Sequence, residues 1–410
     1  MFTAPLVSSL TELVGRLRRK GLPYWARLLL TVILVKSLVG WMDRQGILEG
    51  YRTSFYQLLQ RTSPFKLADK NTVVVFIDDE DYWKGELDRR VPIKRDYLAK
   101  LLDKLDVADA RVIALDFDLR SPDPDGMPRE APDYVAETTM LLNSVKAIAV
   151  NRSIVLPKTV SQKNGDPIAD SDIWNGFDFG NGNENVSSGF ILPPNDRLRV
   201  PLTLQVQGAP LFSFSMAIAR AFRPNGVASL PDSEEFPYGS FMPVDQIWHI
   251  SSHDVLNGNS QQLRKLFSGR IAIIGSAWNR LAYGRPPLND LHRTPIGPMP
   301  GVYVHANFVE DILNDKTYPA LGEHAIEVIE WLLVIVMAIA FAVGSGRASK
   351  LKFVGGSWLL LAAMSYFSFI NLGIVFDMFV PALSVTVHWL FERAWEALQK
   401  ERESEQEATS

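Results

Sequence analysis

The sequence contains no cysteine. That excludes a disulfide framework, a thiol nucleophile and any Cys-ligated metal site, and it leaves the redox compartment open. A charge excess is missing too: 42 Lys and Arg stand against 46 Asp and Glu, a formal net charge of -4. Nucleic acid therefore has no electrostatic footing as a partner. Internal repeats are absent, and the only low-complexity tract is the polar C-terminal tail. Apolar residues, by contrast, are plentiful. They make up 47% of the 410 residues, and the mean hydropathy of +0.02 is slightly high for an ordinary soluble chain. The excess sits at the two ends, and the middle, from about Asp43 to Glu323, reads as a globular domain.

Four apolar stretches have the character of membrane spans. The first, residues 24–42, has a short core from Leu28 to Gly40 that carries Lys36. Trp41-Met42-Asp43 lacks the small residues of a signal-peptidase site, which favours an uncleaved anchor over a signal peptide. The charge of Lys36 then has to snorkel or face another helix. Residues 326–344, 353–370 and 376–391 form the other three stretches, with Glu330 and Trp331 leading the second and Pro381 near the start of the fourth. Cations orient the set: Arg16, Arg18, Arg19, Lys20 and Arg27 precede the first, Arg347, Lys350 and Lys352 separate the second and third, and Arg393, Lys400 and Arg402 follow the fourth. By the positive-inside rule all three groups are cytoplasmic. Residues 1–23 and 392–410 are then a basic cytoplasmic N-terminus and a cytoplasmic tail, and residues 43–325 an extracytoplasmic domain.

Within that domain the pattern is α/β with a mostly parallel sheet. Gln45 to Gln60 continues helically as a stalk. Thr72 to Ile77 is a continuous apolar run of the kind buried on both faces of a parallel sheet. A helix from about Lys94 to Leu105 follows, with Tyr97, Leu98, Leu101, Leu102 and Leu105 on one stripe, then a strand from Arg111 to Leu115. Tyr134 to Val145 reads as a helix, Ala147 to Val150 as a strand, and Asp166 to Gly189 as loop. Arg199 to Val206 reads as a strand, Ser213 to Phe222 as a helix, Arg223 to Ser240 as loop, Arg270 to Ile274 as a strand and Gly301 to Leu313 as a helix.

Ligands of open α/β sheets bind beyond the carboxyl ends of the strands. Three strand ends carry polar or small residues: Asp78 and Asp79, Asp116 and Asp118, and Gly275 and Ser276. Carboxylates there can take a hard cation or accept from sugar and amine donors, and the two small residues can present backbone N–H groups. Asp290, His292, Thr294, His305 and Asn307 add further polar groups. The plainer reading is that the carboxylates cap helices and turns and that the imidazoles are satisfied buried donors. Asp116-Phe117-Asp118 after an apolar strand is similar to the nucleophile motif of haloacid-dehalogenase phosphatases and to the metal-binding Asp-x-Asp of nucleotide-sugar glycosyltransferases. Arg120 stands where the phosphatase pattern wants Thr or Val, and no downstream Lys and paired-Asp motif follows. A nucleotide sugar would also have to be available outside the cytoplasm. Catalysis by this pair is not expected, no cofactor is expected, and whether a metal binds is open.

The order of segments resembles the CHASE2 extracellular sensor domains of bacterial receptors. The resemblance is carried by Val73-Val74-Val75-Phe76-Ile77-Asp78-Asp79-Glu80, Pro92, Val112-Ile113-Ala114-Leu115-Asp116-Phe117, Ser121-Pro122-Asp123-Pro124, Asp254-Val255-Leu256-Asn257-Gly258 and Phe267 to Gly275. Its strongest pieces are Asp290-Leu291-His292-Arg293-Thr294-Pro295, Met299-Pro300-Gly301-Val302 and His305-Ala306-Asn307. Together they cover about residues 70 to 315. Family members also place one span before the domain and about three after it. Two departures stand out. The family's Trp-Pro-Trp-type segment is replaced by Leu87-Asp88-Arg89-Arg90-Val91-Pro92. Family receptors usually run on into a kinase, cyclase, diguanylate cyclase or phosphodiesterase domain, whereas the roughly twenty residues after Arg393 are too few for an enzyme.

The resemblance implies a multi-pass protein of the bacterial inner membrane that binds a small extracytoplasmic ligand or senses envelope state. With no catalytic output of its own, it would signal to a separate effector protein and could form a homodimer. Residues 395–407 are either a docking helix or, by default, a solvated frayed tail. The alternative is a membrane scaffold whose domain binds another envelope protein and would bury a broad apolar patch. A third class, an extracytoplasmic hydrolase, would require turnover dependent on Asp116 or Asp118.

Overall fold

The structure is a computed structural model, and it describes residues 21–62, 71–88, 90, 93–119, 134–163, 166–191, 199–200, 202–226, 237–278, 290–343 and 347–409. The basic cluster Arg16 to Lys20 and the segment Ser121-Pro122-Asp123-Pro124 lie outside the described residues, as do Arg89, Val91 and Pro92. The chain forms two compact units, residues 63–318 and residues 1–62 with 319–410.

The 63–318 unit is built on a six-stranded sheet. In chain order the described strands are β1 (Thr72–Ile77), β2 (Val112–Asp116), β3 (Ser153–Lys158), β4 (Val160–Lys163), β5 (Asp166–Ala169), β6 (Val186–Phe190), β7 (Thr203–Val206), β8 (Ala209–Phe212), β9 (Trp248–Ser251), β10 (Ile271–Ser276), β11 (Leu291–Thr294) and β12 (Gly297–Pro300). The sheet order is β6-β3-β2-β10-β1-β9, and every neighbouring pair is parallel. The remaining strands pair as antiparallel hairpins, β4 with β5, β7 with β8 and β11 with β12.

Alternation along each strand divides the core into two layers. Val73, Val75, Ile77, Ile113, Leu115, Ile154, Leu156, Ala272 and Ile274 face one side, and Val74, Val112, Ala114, Val155, Ile271 and Ile273 face the other. Burial on both faces is why these strands read as unbroken apolar runs. Helices Arg95–Val107, Tyr134–Ala149 and Ser260–Phe267 cover the first face. Leu98, Leu101, Leu102 and Leu105, at helical spacing, are all 0% exposed, and each contributes roughly 1.5–3 kcal/mol of burial. Helices Phe214–Phe222 and Gly301–Leu313 cover the second face. Ser213 caps the former by accepting from Met216 N at 3.1 Å.

Two sequence expectations are corrected. Ala147 to Ala149 is not a strand but the last turn of the Tyr134–Ala149 helix. Leu141, Val145, Ile148 and Ala149 share one buried face while Val150 is exposed, and the strand proper begins at Ser153 after a turn at Asn151. The stretch from Asp166 to Gly189 is not all loop: it holds β5 and β6, and β6 forms an edge of the main sheet.

In the second unit, helices Gly21–Arg44, Glu323–Val343, Arg347–Phe367 and Phe379–Thr409 coincide with the four apolar stretches. Among the described residues one segment, Lys350–Leu372, is long and apolar enough to cross a membrane. Lys36 Nζ meets Glu330 Oε2 at 3.0 Å and lies 5.1 Å from the Trp331 ring centroid. The stalk is a separate helix, Glu49–Thr62. Its Arg52 pairs with Asp43 at 2.5 Å and with Asp377 at 2.5 Å. The tail expected to fray is helical: the last helix runs unbroken to Thr409.

Candidate functional site

Period-two alternation sets the site. Leu115 is buried on one face of β2, so Asp116 at the strand's end points to the other, where the Gly301–Leu313 helix packs. Asp116 lies opposite Gly275 in the β2–β10 register. After β2 the chain passes to the Tyr134–Ala149 helix on one face, and after β10 to the Gly301–Leu313 helix on the other. Adjacent strands whose connections leave on opposite sides open a crevice at their carboxyl ends, the usual ligand position in such sheets.

Two glycines let backbone and carboxylates crowd here. A Cβ on Gly275 would lie 2.6 Å from the Val302 side chain and 3.2 Å from Asp116 Oδ2. A Cβ on Gly301 would lie 1.9 Å from Asp290 Oδ2 and 3.1 Å from His292 Nε2. Asp290 also accepts from Gly301 N through its main-chain oxygen at 2.8 Å, so its carboxylate sits beside the first turn of the Gly301–Leu313 helix. The helix N-terminus favours negative charge there.

His305, one turn into that helix, places Nε2 3.7 Å from Asp116 Oδ1 and Nδ1 3.1 Å from Ser215 Oγ. Its ring stands edge-on to Phe214 at 5.1 Å. His292 Nε2 and Asp290 Oδ1 are 2.5 Å apart. Asp116 is held well above the usual carboxyl range, first by burial and then by the nearby Asp290 charge. The arrangement offers two carboxyl groups and two imidazoles to one crevice.

The structure therefore brings together Asp116, Gly275, Asp290, His292 and His305, with Ser276 next in β10. The other candidates have structural partners. Asp78 caps the short helix Asp79–Trp83 by accepting from Glu80 N and Asp81 N. Asp79 Oδ1 accepts from Trp83 Nε1 at 2.9 Å. Asp118 is exposed and accepts from Thr159 Oγ1 at 3.3 Å. Thr294 donates to Gly297 O at 2.6 Å and locks the β11–β12 turn. Asn307, fully buried, accepts from Met242 N at 2.7 Å and donates to Tyr303 O at 2.9 Å.

Sequence reasoning missed Ser215, and it read Gly301 as a helix start without placing it at the site. It also missed an aromatic group beyond the same strand ends: Tyr82 stacks on Trp278 at 4.1 Å, and Phe117 lies 6.5 Å from Trp278. A second network beyond β1 and β9 was missed as well. There Ser252 Oγ donates to the buried Asp81 carboxylate and Tyr97 OH donates to Ser252 Oγ at 2.9 Å. Aromatics two or three residues past a strand end were the available signal for Trp278; nothing local marks Ser215. Among the described residues no group of three or more His, Asp or Glu is placed to hold a metal ion.

A family model described as CHASE2 domain matches residues 28–344. No curated protein and no solved structure matches the chain.

Proposed function

The chain belongs to the CHASE2 domain family, an extracellular sensory class of membrane receptors, and on that premise we propose that it is the input component of a split receptor. Its α/β domain, residues 43–325, stands outside the bacterial inner membrane, both termini lie in the cytoplasm, and four helices span the bilayer. The observation that carries the reading is the convergence of Asp116, Asp290, His292 and His305 beyond the carboxyl ends of β2 and β10. A small extracytoplasmic ligand binds there.

Four helices on the four apolar stretches, the Lys36–Glu330 ion pair and the cation distribution support the multi-pass topology. Output passes through the Phe379–Thr409 helix, whose cytoplasmic half exposes Trp395 and Leu398, to a separate effector protein; the receptor acts as a homodimer. Affinity capture from native membranes tests this reading, with full-length protein compared against a version ending at Arg393. The expected result is a signalling enzyme recovered only with the intact tail. Recovery of envelope proteins alone, equally from both versions, would instead favour a scaffold.

A further inference from the structure

Asp116 is the unusual member of the crevice. Its side chain is 8% exposed, yet no described residue donates a hydrogen bond to it, and His305 Nε2 at 3.7 Å is beyond hydrogen-bond distance. A buried carboxyl group without donors is costly, and such groups persist where a ligand completes them. The neighbouring positive end of the Gly301–Leu313 helix is already served by the protein's own Asp290 carboxylate, which lies where a Cβ on Gly301 would have to be. An anionic ligand group therefore finds that position taken, and the Asp290 charge repels it. The described side chains do not form a metal-ligand set, so a bare metal ion is poorly matched. What fits is an organic donor that brings positive charge and N–H groups together.

We propose that the crevice between β2 and β10 binds a small organic cation, its ammonium or guanidinium group donating to Asp116, with Asp290 adding charge complementarity. The proposal rests on the sensor reading and names the ligand class of that same site. Charge-assisted N–H···carboxylate bonds are about twice as strong as neutral ones, and a guanidinium could span both Asp116 oxygens. Among the described residues the nearby titratable groups are His305 from the Gly301–Leu313 helix, His292 from β11 and Asp290 just before it. Burial and the Asp290 charge raise the Asp116 pKa well above the usual carboxyl value. A bound cation lowers that pKa again, so at pH values between the bound and the free pKa binding releases protons to the buffer.

The test uses the full chain in nanodiscs, with methylammonium and agmatine as cationic probes and acetate and glucose as controls. The expected result is a saturable rise in thermal midpoint with at least one cation and none with acetate. Asp116→Asn, which keeps the shape of the protonated side chain, should raise the half-saturating concentration about tenfold or more. Calorimetry of the wild-type chain in two buffers of different ionisation heat should show proton release, a readout that does not depend on the variant folding. If glucose or acetate binds in an Asp116-dependent manner, the site stands and the cation inference falls. Cation binding that is indifferent to Asp116→Asn and releases no proton overturns the inference by placing the cation elsewhere. If no probe of any charge binds, both the inference and the crevice as the sensory site are overturned.

Discussion

Gly275 and Asp116 face each other in register across β10 and β2, and the carboxyl group has its place because Gly275 has no side chain. A methyl group there would sit 2.6 Å from Val302 and 3.2 Å from Asp116 Oδ2. Val302 belongs to a packed helix and cannot retreat cheaply. Gly275→Ala is therefore expected to cost about 1–3 kcal/mol of stability and to shift the Gly301–Leu313 helix. Thermal denaturation of the full chain measures it; an unchanged midpoint would mean the helix is not held against β10.

Asp116 also sets a pH dependence. Its folded-state pKa is raised by burial and by Asp290, so the native state keeps a proton that the unfolded chain gives up near the ordinary Asp value of about 3.9. Below that value both states are protonated and pH has no effect through this group. As pH rises from there to the folded pKa the native state binds more protons, and stability falls. Asp116→Asn should flatten this loss. Asp311, raised by burial in the same direction, leaves a residual slope. Midpoints at a series of pH values for both proteins check the sign, and a variant that tracks the wild type throughout would contradict it.

Asn307 serves the fold rather than the crevice. Its amide holds Met242 N and Tyr303 O inside the second core layer. Asn307→Ala strands Met242 N and is expected to cost about 1–3 kcal/mol, with probe binding at Asp116 unchanged wherever the protein is folded. A binding defect without a stability defect would reverse this assignment.

Lys36 and Glu330 form a pair whose carboxylate side chain is 9% exposed. Removing Lys36 leaves the Glu330 carboxylate buried without its cation, a loss on the order of 3 kcal/mol, and removing Glu330 costs less because Lys36 is 31% exposed; an apolar pair of similar volume is tolerated. Lys36→Leu and Glu330→Leu should each lower the thermal midpoint in nanodiscs, and the double variant should recover most of it. Additive losses would show that the two side chains do not act together.

What could be read from the sequence follows the burial of each element. β1, β2, β10 and the Arg95–Val107 helix are legible because a strand buried on both faces leaves an unbroken apolar run and an amphipathic helix leaves a stripe. β6, Val-Ser-Ser-Gly-Phe, and β9, Trp-His-Ile-Ser, lie at the sheet's edges. Half their positions meet solvent or a helix, so neither leaves such a run. Ala147 to Val150 misled because a short apolar tetrad fits both periods. At the site, Asp116 and Gly275 were visible as polar or small residues at strand ends, and His305 as a polar residue in the first turns of a helix. Ser215 and Gly301 were not, because their roles depend on which turn of one helix meets which strand. Asp78 and Asn307 looked the same as the site residues in sequence and differ only in having their partners supplied by the chain.

The central claim is that the α/β domain faces outward and the tail inward, and the lack of cysteine makes this directly measurable. Single cysteines at the exposed positions Glu184 and Lys400 would be treated with a membrane-impermeant maleimide in intact spheroplasts. Glu184→Cys is expected to label at once and Lys400→Cys only after permeabilisation. The reverse pattern, or immediate labelling of both, would contradict it.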